Sequence, residues 1–191
     1  MATKIAVFAS GSGSNFQAIQ EAIERGDLQA SVELVVTDKA GAFVVTRANN
    51  LGVEVLELAP KTFESKAAYE EAIVAELRAK DVEWVVLAGY MRLVSDVLLS
   101  AYSNRIVNIH PSLLPSFPGK DAIGQAMEHG VKVTGVTVHY VDAGMDTGPI
   151  IAQAAVEVVD GDRAATEERI HKVEHELYTK TLNALFNKTA F

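Results

Sequence analysis

The sequence contains no cysteine. That removes disulfides, thiolate catalysis and Cys-ligated zinc, and it suits a cytoplasmic protein. No apolar run approaches the ~18 residues that a membrane-spanning helix needs, so no membrane partner is expected. Positive charge is scarce: 17 Lys and Arg stand against 25 Asp and Glu, for a net charge of −8. Binding to nucleic acid draws on clustered Lys and Arg, so no nucleic-acid partner is expected. A small anion remains open, because backbone N–H groups hold phosphate locally on an acidic surface. Only five prolines occur, and no Pro/Gly-rich linker, internal repeat or low-complexity stretch divides the chain. The length allows a sizeable core, so residues 1–191 are expected to form one domain. "MATKIAVFAS" enters a strand pattern at once, and no targeting leader is expected from it.

What the sequence does have is alternation. Strand patterns at 4–10, 31–37, 53–58, 83–89 and 105–110 are interspersed with helical patterns at 15–25, 42–51, 65–80 and 121–129. Two further strands follow at 134–141 and 149–158, and a closing helix spans 165–187. The run "EWVVLAG" at 83–89 is almost continuously apolar, as in a strand covered on both faces. The pattern predicts a single α/β domain with a mainly parallel, twisted sheet, helices on both faces and an antiparallel or mixed edge. Ligands in such sheets bind beyond the carboxyl ends of the strands. Four unusual segments follow strands: "SGSGSN", "GYMRLV", "NIHPSLLP" and "DAGMDTGP".

In "SGSGSN", Gly11 and Gly13 allow close backbone approach, and the N–H groups of the following helix can hold an anion. The dinucleotide fingerprint would need glycine where Phe16 stands, and the P-loop lysine is missing, so a phosphate monoester fits better. The same stretch also serves as a tight turn with Ser14 or Asn15 as helix cap. Asn108 and His110 lie two apart on a strand and share one face, and Pro111 holds His110 extended. An amide there can donate to a developing oxyanion and an imidazole can exchange a proton; equally, both could satisfy nearby loop backbone. Asp146, in "GMDTGP", could orient the imidazole and balance its charge, or make an ordinary Asp turn. "GYMRLV" offers apolar groups, backbone polar groups and one Arg to a flat heterocycle, or simply joins a strand to a helix. "HKVEH" at 171–175 has the spacing of a zinc-peptidase helix, but the only acid after His175 is Glu176, so no metal is expected. His171 and Glu174 are read instead as bordering the anion pocket, and His129 as a helix-end residue.

With these segments in order, residues 4 to 178 resemble the folate-dependent formyltransferase family, in its phosphoribosylglycinamide formyltransferase branch. "SGSGSNFQAI", "LAGYMRLV", "NIHPSLLPSFPG", "GVTVHYVDAGMDTGPIIAQ" and "RIHKVEHELY" carry the resemblance. It implies transfer of a formyl group from 10-formyltetrahydrofolate to the amine of glycinamide ribonucleotide, in purine biosynthesis, without a metal. Asn108, His110 and Asp146 match the family's catalytic trio. Gly13, Ser14 and Asn15 would hold the substrate phosphate, with His171, Lys172, Val173 and Glu174 closing its pocket. Lys66, Met91, Arg92, Leu93, Val94, Asn108 and the loop Asp142, Ala143, Gly144, Met145 and Asp146 would hold the folate. Ala143 stands where the family often has an acid, Tyr178 lacks its usual following proline, and 161–170 is one residue short. The partners implied are these two small molecules, with a homodimer left open. A formyltetrahydrofolate hydrolase, a methionyl-tRNA formyltransferase and a non-catalytic phospho-ligand sensor are the alternatives. The first normally carries an N-terminal regulatory domain, and the second an extra C-terminal domain with a basic surface.

Overall fold

The computed structural model describes residues 1–188, so the last three residues of the expected domain lie outside the described part. Seven strands form one sheet: β1 (Thr3–Phe8), β2 (Ala30–Thr37), β3 (Val55–Glu57), β4 (Trp84–Leu87), β5 (Ile106–His110), β6 (Val133–Tyr140) and β7 (Ile150–Glu157). Their spatial order is β3-β2-β1-β4-β5-β6-β7. The first five run parallel, whereas β6 pairs antiparallel with both β5 and β7. This is the α/β sheet with an antiparallel edge that the alternating pattern predicts. Six helices flank it: α1 (Ser14–Arg25), α2 (Phe43–Asn50), α3 (Lys66–Ala79), α4 (Asp96–Ala101), α5 (Ala122–His129) and α6 (Arg163–Asn187).

The inner strand β1 and the residue after it show why both faces are covered. Ile5, Val7 and Ala9 join one core cluster with Phe16 and Ile19 of α1, Val44 of α2, Ile123 of α5 and Ile170 and Leu182 of α6. Ala6 and Phe8 face the other way, among Tyr69, Ile73 and Leu77 of α3 and Leu98 of α4. Alternate residues of a strand point to opposite faces, so a strand apolar at every position needs a helix layer on each side. From the α6 layer, the Tyr178 hydroxyl reaches through to donate to the carbonyls of Leu87 (2.7 Å) and Val107 (3.2 Å). It thereby ties the end of β4 to β5 at the residue before Asn108.

Helix α4 and a 3-10 turn at Pro60–Thr62 are absent from the sequence-based reading. The helix is only six residues long, and its amino-terminal cap comes from another element. The buried Glu70 carboxylate of α3 accepts bonds from Ser95 N (2.9 Å), Ser95 Oγ (2.8 Å) and Leu98 N (3.1 Å). No local pattern reveals such a cap. Glu70→Ala leaves these donors buried and unpaired, and should cost about 3 kcal/mol of stability. Chemical denaturation reads this loss as a lower midpoint at unchanged slope, and an unchanged midpoint would show that water replaces the carboxylate.

Candidate active site

The sharp turn after β5 brings the first site residues into place. Pro111 ends the strand, and the loop beyond it is tied down by β6 and β7. Thr137 Oγ1 donates to Ser112 O (2.7 Å) and accepts from Leu114 N (3.1 Å), while Gln153 Nε2 donates to Leu114 O (2.9 Å). The loop therefore folds back and returns the Phe117 carbonyl to His110, whose Nε2–H donates to it at 2.9 Å. On the other side of the ring, Nδ1 faces Asp146 Oδ2 at 3.5 Å, an ion-pair distance rather than a hydrogen bond. The ring is thus held by a hydrogen bond on one side and faces a carboxylate on the other.

Asp146 reaches this position by a different route from the one expected. The other three segments leave the carboxyl ends of parallel strands, but β6 runs antiparallel, and Tyr140 at its end lies beside Val107. The 141–149 loop must fold back over the sheet to bring Asp146 to His110. Gly148 permits this, because a Cβ there would lie 1.7 Å from the Tyr140 carbonyl oxygen. Asp146 itself adopts a left-handed backbone (φ 55), and its Oδ2 accepts the Gly119 N–H at 2.8 Å. Asp142 uses its carboxylate within the loop, on Gly144 N (3.0 Å) and Thr147 Oγ1 (2.7 Å).

A second histidine completes the cluster. His139 lies directly across from Asn108 in the β5–β6 register. It is buried, its Nδ1–H donates to Tyr140 O (2.8 Å), and its Nε2 is left to accept from Asn108 Nδ2 (3.2 Å). Burial lowers its pKa, in keeping with a neutral ring that carries one proton and accepts with the other nitrogen. This bond fixes which way the Asn108 amide faces. Sequence alternation places His139 on a face with Thr137, but alternation alone says nothing about what lies across the strand.

A cavity of about 540 Å³ opens above the cluster. Asn108, His110, His139 and Asp146 line it, with the glycine loop Ser10–Asn15 and the segment Gly89–Val94. At the glycine end, Gly13 precedes α1 as a left-handed cap residue (φ 73), so neither Ser14 nor Asn15 takes that role. Ser14 and Asn15 both line the cavity, and the buried Asn15 Oδ1 has no partner among the described residues. His171 and Glu174 also line the cavity, joined at 2.8 Å, and this hydrogen bond raises the His171 pKa. Met91, Arg92, Leu93 and Val94 form the more apolar end. There the Arg92 guanidinium lies 5.4 Å from the Tyr69 ring centroid, and its buried Nε has no partner among the described residues. The buried Ser10 ties the two ends together: its Oγ donates to Asp38 (2.5 Å) and accepts the Met91 N–H (2.8 Å).

The remaining candidates divide between the cavity lining and other places. Gly144 and Met145 line the cavity, but Asp142 and Ala143 do not. Lys66 is exposed at the start of α3, Lys172 is exposed on α6, and Val173 packs against the core. His129 ends α5, where its ring packs edge-on against Phe117. His171 and His175 do not share a site, for His175 borders a separate groove between α1 and α6.

The sequence pattern of the formyl transferase family matches residues 3–182. Phosphoribosylglycinamide formyltransferase of Bacillus subtilis (strain 168) is 54% identical, over 95% of this chain and 94% of that protein. The Escherichia coli (strain K12) protein of the same name is 39% identical, over 91% of this chain and 82% of its own length. The crystal structure of glycinamide ribonucleotide transformylase 1 from Geobacillus kaustophilus superposes with a TM-score of 0.94 and 59% identity, covering 97% of this chain and 99% of that one. The chain belongs to the formyl transferase family, among the phosphoribosylglycinamide formyltransferases.

Proposed function

We propose that this protein transfers the formyl group of 10-formyltetrahydrofolate to the primary amine of glycinamide ribonucleotide, a step of purine biosynthesis. The observation that carries the reading is the convergence of Asn108, His110, His139 and Asp146 on one cavity that the glycine loop Ser10–Asn15 and the segment Gly89–Val94 also line. Near-complete coverage of the Bacillus subtilis and Geobacillus kaustophilus proteins supports glycinamide ribonucleotide as acceptor. The donor's fit rests on the Gly89–Val94 segment, whose apolar side chains and strand-end backbone suit a flat heterocycle with polar edges.

The donor supplies an activated formyl carbon, and attack by the amine puts negative charge on the formyl oxygen. Asn108 Nδ2 carries two hydrogens. One is held by His139, and the other is available to that oxygen without rearrangement. His110, whose Nε2–H donates to Phe117 O and whose Nδ1 faces the Asp146 carboxylate, stands on the same face of β5 and in its protonated form adds positive charge beside that oxygen. Asp146 balances this charge, and through His110 it assists movement of the amine proton toward the departing nitrogen of the donor. Gly13, Ser14 and Asn15 hold the substrate phosphate at the start of α1, in a cavity that His171 also lines, its pKa raised by the hydrogen bond to Glu174.

The acceptor is tested by formyl transfer with glycinamide ribonucleotide, charged initiator tRNA and water offered in parallel. Turnover is expected with glycinamide ribonucleotide, and faster consumption of donor by water or tRNA would overturn the assignment. The phosphate cradle gives a second test. Gly13 has a left-handed backbone, and a Cβ there would lie 2.6 Å from Val44 Cγ2. Gly13→Val should therefore displace the loop and weaken glycinamide ribonucleotide binding by at least about tenfold, with donor affinity nearly intact, as measured by calorimetry. Equal losses for both ligands in a folded variant would contradict the local role.

A further inference from the structure

The glycine loop does not orient itself. The Gly11 carbonyl accepts from Val44 N of α2 at 3.0 Å, and the Ser12 carbonyl accepts from Arg47 Nε of the same helix at 2.8 Å. A planar trans peptide directs its C=O and the next N–H in opposite directions. With both carbonyls drawn to α2, the Ser12 and Gly13 N–H groups point away from α2. Neither has a hydrogen-bond partner among the described residues, and both residues line the cavity.

Arg47 is well placed to hold this orientation. Its guanidinium lies 4.8 Å from the Phe43 ring centroid, and Nη1 bonds to Gln17 Oε1 on α1. One planar group thus spans the loop carbonyl, α1 and an aromatic ring of α2, a geometry that a lysine ammonium does not reproduce. Arg47 is not among the residues that line the cavity, so it would meet no ligand there. We infer that Arg47 is a positioning residue, which aims the Ser12 and Gly13 amides at the phosphate of the acceptor substrate by holding the Ser12 carbonyl. The inference rests on the proposed phosphate-binding role of this loop and adds a residue that neither the motif nor the cavity lining identifies.

The test is inorganic phosphate titrated into ¹⁵N-labelled protein, followed at the Ser12, Gly13 and Ser14 amides, for wild type, Arg47→Met and Arg47→Lys. Wild type should give saturable shifts, and Arg47→Met should bind phosphate about tenfold more weakly, the loss expected of one charge-assisted bond. Arg47→Lys keeps the charge but not the fork, and should recover only part of that loss. In turnover, both variants should raise the KM for glycinamide ribonucleotide and leave kcat and the donor KM unchanged. Unchanged phosphate affinity in folded Arg47→Met would overturn the inference, and full recovery by lysine would mean that charge alone acts. If Arg47→Met loses its dispersed spectrum, Arg47→Lys decides alone, and wild-type affinity in it counts against the inference. Wild-type amides that ignore phosphate would instead overturn the phosphate reading of the loop, and this inference with it.

Discussion

Asn108→Ala should lower kcat by roughly 10²–10³ while the affinity for both substrates changes little. A preorganised donor acts chiefly as charge develops on the formyl oxygen, so its loss falls on the chemical step rather than on binding. Preorganisation comes from His139, which is buried across the strand and accepts one amide hydrogen of Asn108 at 3.2 Å. That bond is the only one the Asn108 side chain makes among the described residues. Its removal should therefore cost about 1 kcal/mol of stability, too little to account for a hundredfold loss of rate. Thermal melts measured beside kcat separate the two effects. Near-normal turnover with a lowered melting temperature would make Asn108 a structural strand-end residue and remove it from the mechanism.

Asp146→Asn should also be severe, with kcat lower by roughly 10²–10⁴, the range for a group that supports proton transfer. The substitution is informative because it keeps most of the local structure. Asparagine tolerates the left-handed backbone at this position, and its Oδ1 can still accept the Gly119 N–H now held at 2.8 Å. What it removes is the negative charge 3.5 Å from His110 Nδ1 and 3.8 Å from His139 Nε2. The expected signature is a large fall in kcat with a small change in melting temperature and in either KM. A rate within a few-fold of wild type would show that the charge has no part in the reaction, and that Asp146 serves the loop alone.

Much of this site was legible in the sequence, and what was not has identifiable physical causes. Alternating strand and helix patterns gave the parallel sheet, and strand-end position picked out Gly13, Met91 and Asn108 because a parallel sheet gathers the carboxyl ends of its strands on one side. Asn108 and His110 were readable as a pair because their spacing is a property of one strand. His139 was not, because its relation to Asn108 depends on the register between two strands 31 residues apart. The path of Asp146 was misplaced for a related reason: the direction of β6 decides at which end its loop leaves the sheet. Helix α4 escaped notice because its cap is Glu70, 25 residues before Ser95. Local pattern thus reveals elements and the faces they share, while pairings made across the sheet or between helices need the folded chain.

The central claim is that Asn108 and His110 act on the same developing charge, and a double-mutant cycle of single-turnover formyl transfer tests it most directly. Rates are measured for wild type, Asn108→Ala, His110→Ala and the double variant, with donor and glycinamide ribonucleotide both saturating and with melts confirming folded protein. Two groups that converge on one oxyanion should not contribute independently. The account predicts that the double variant loses clearly less than the product of the two single losses. Losses that multiply would place the two side chains in separate roles and contradict it.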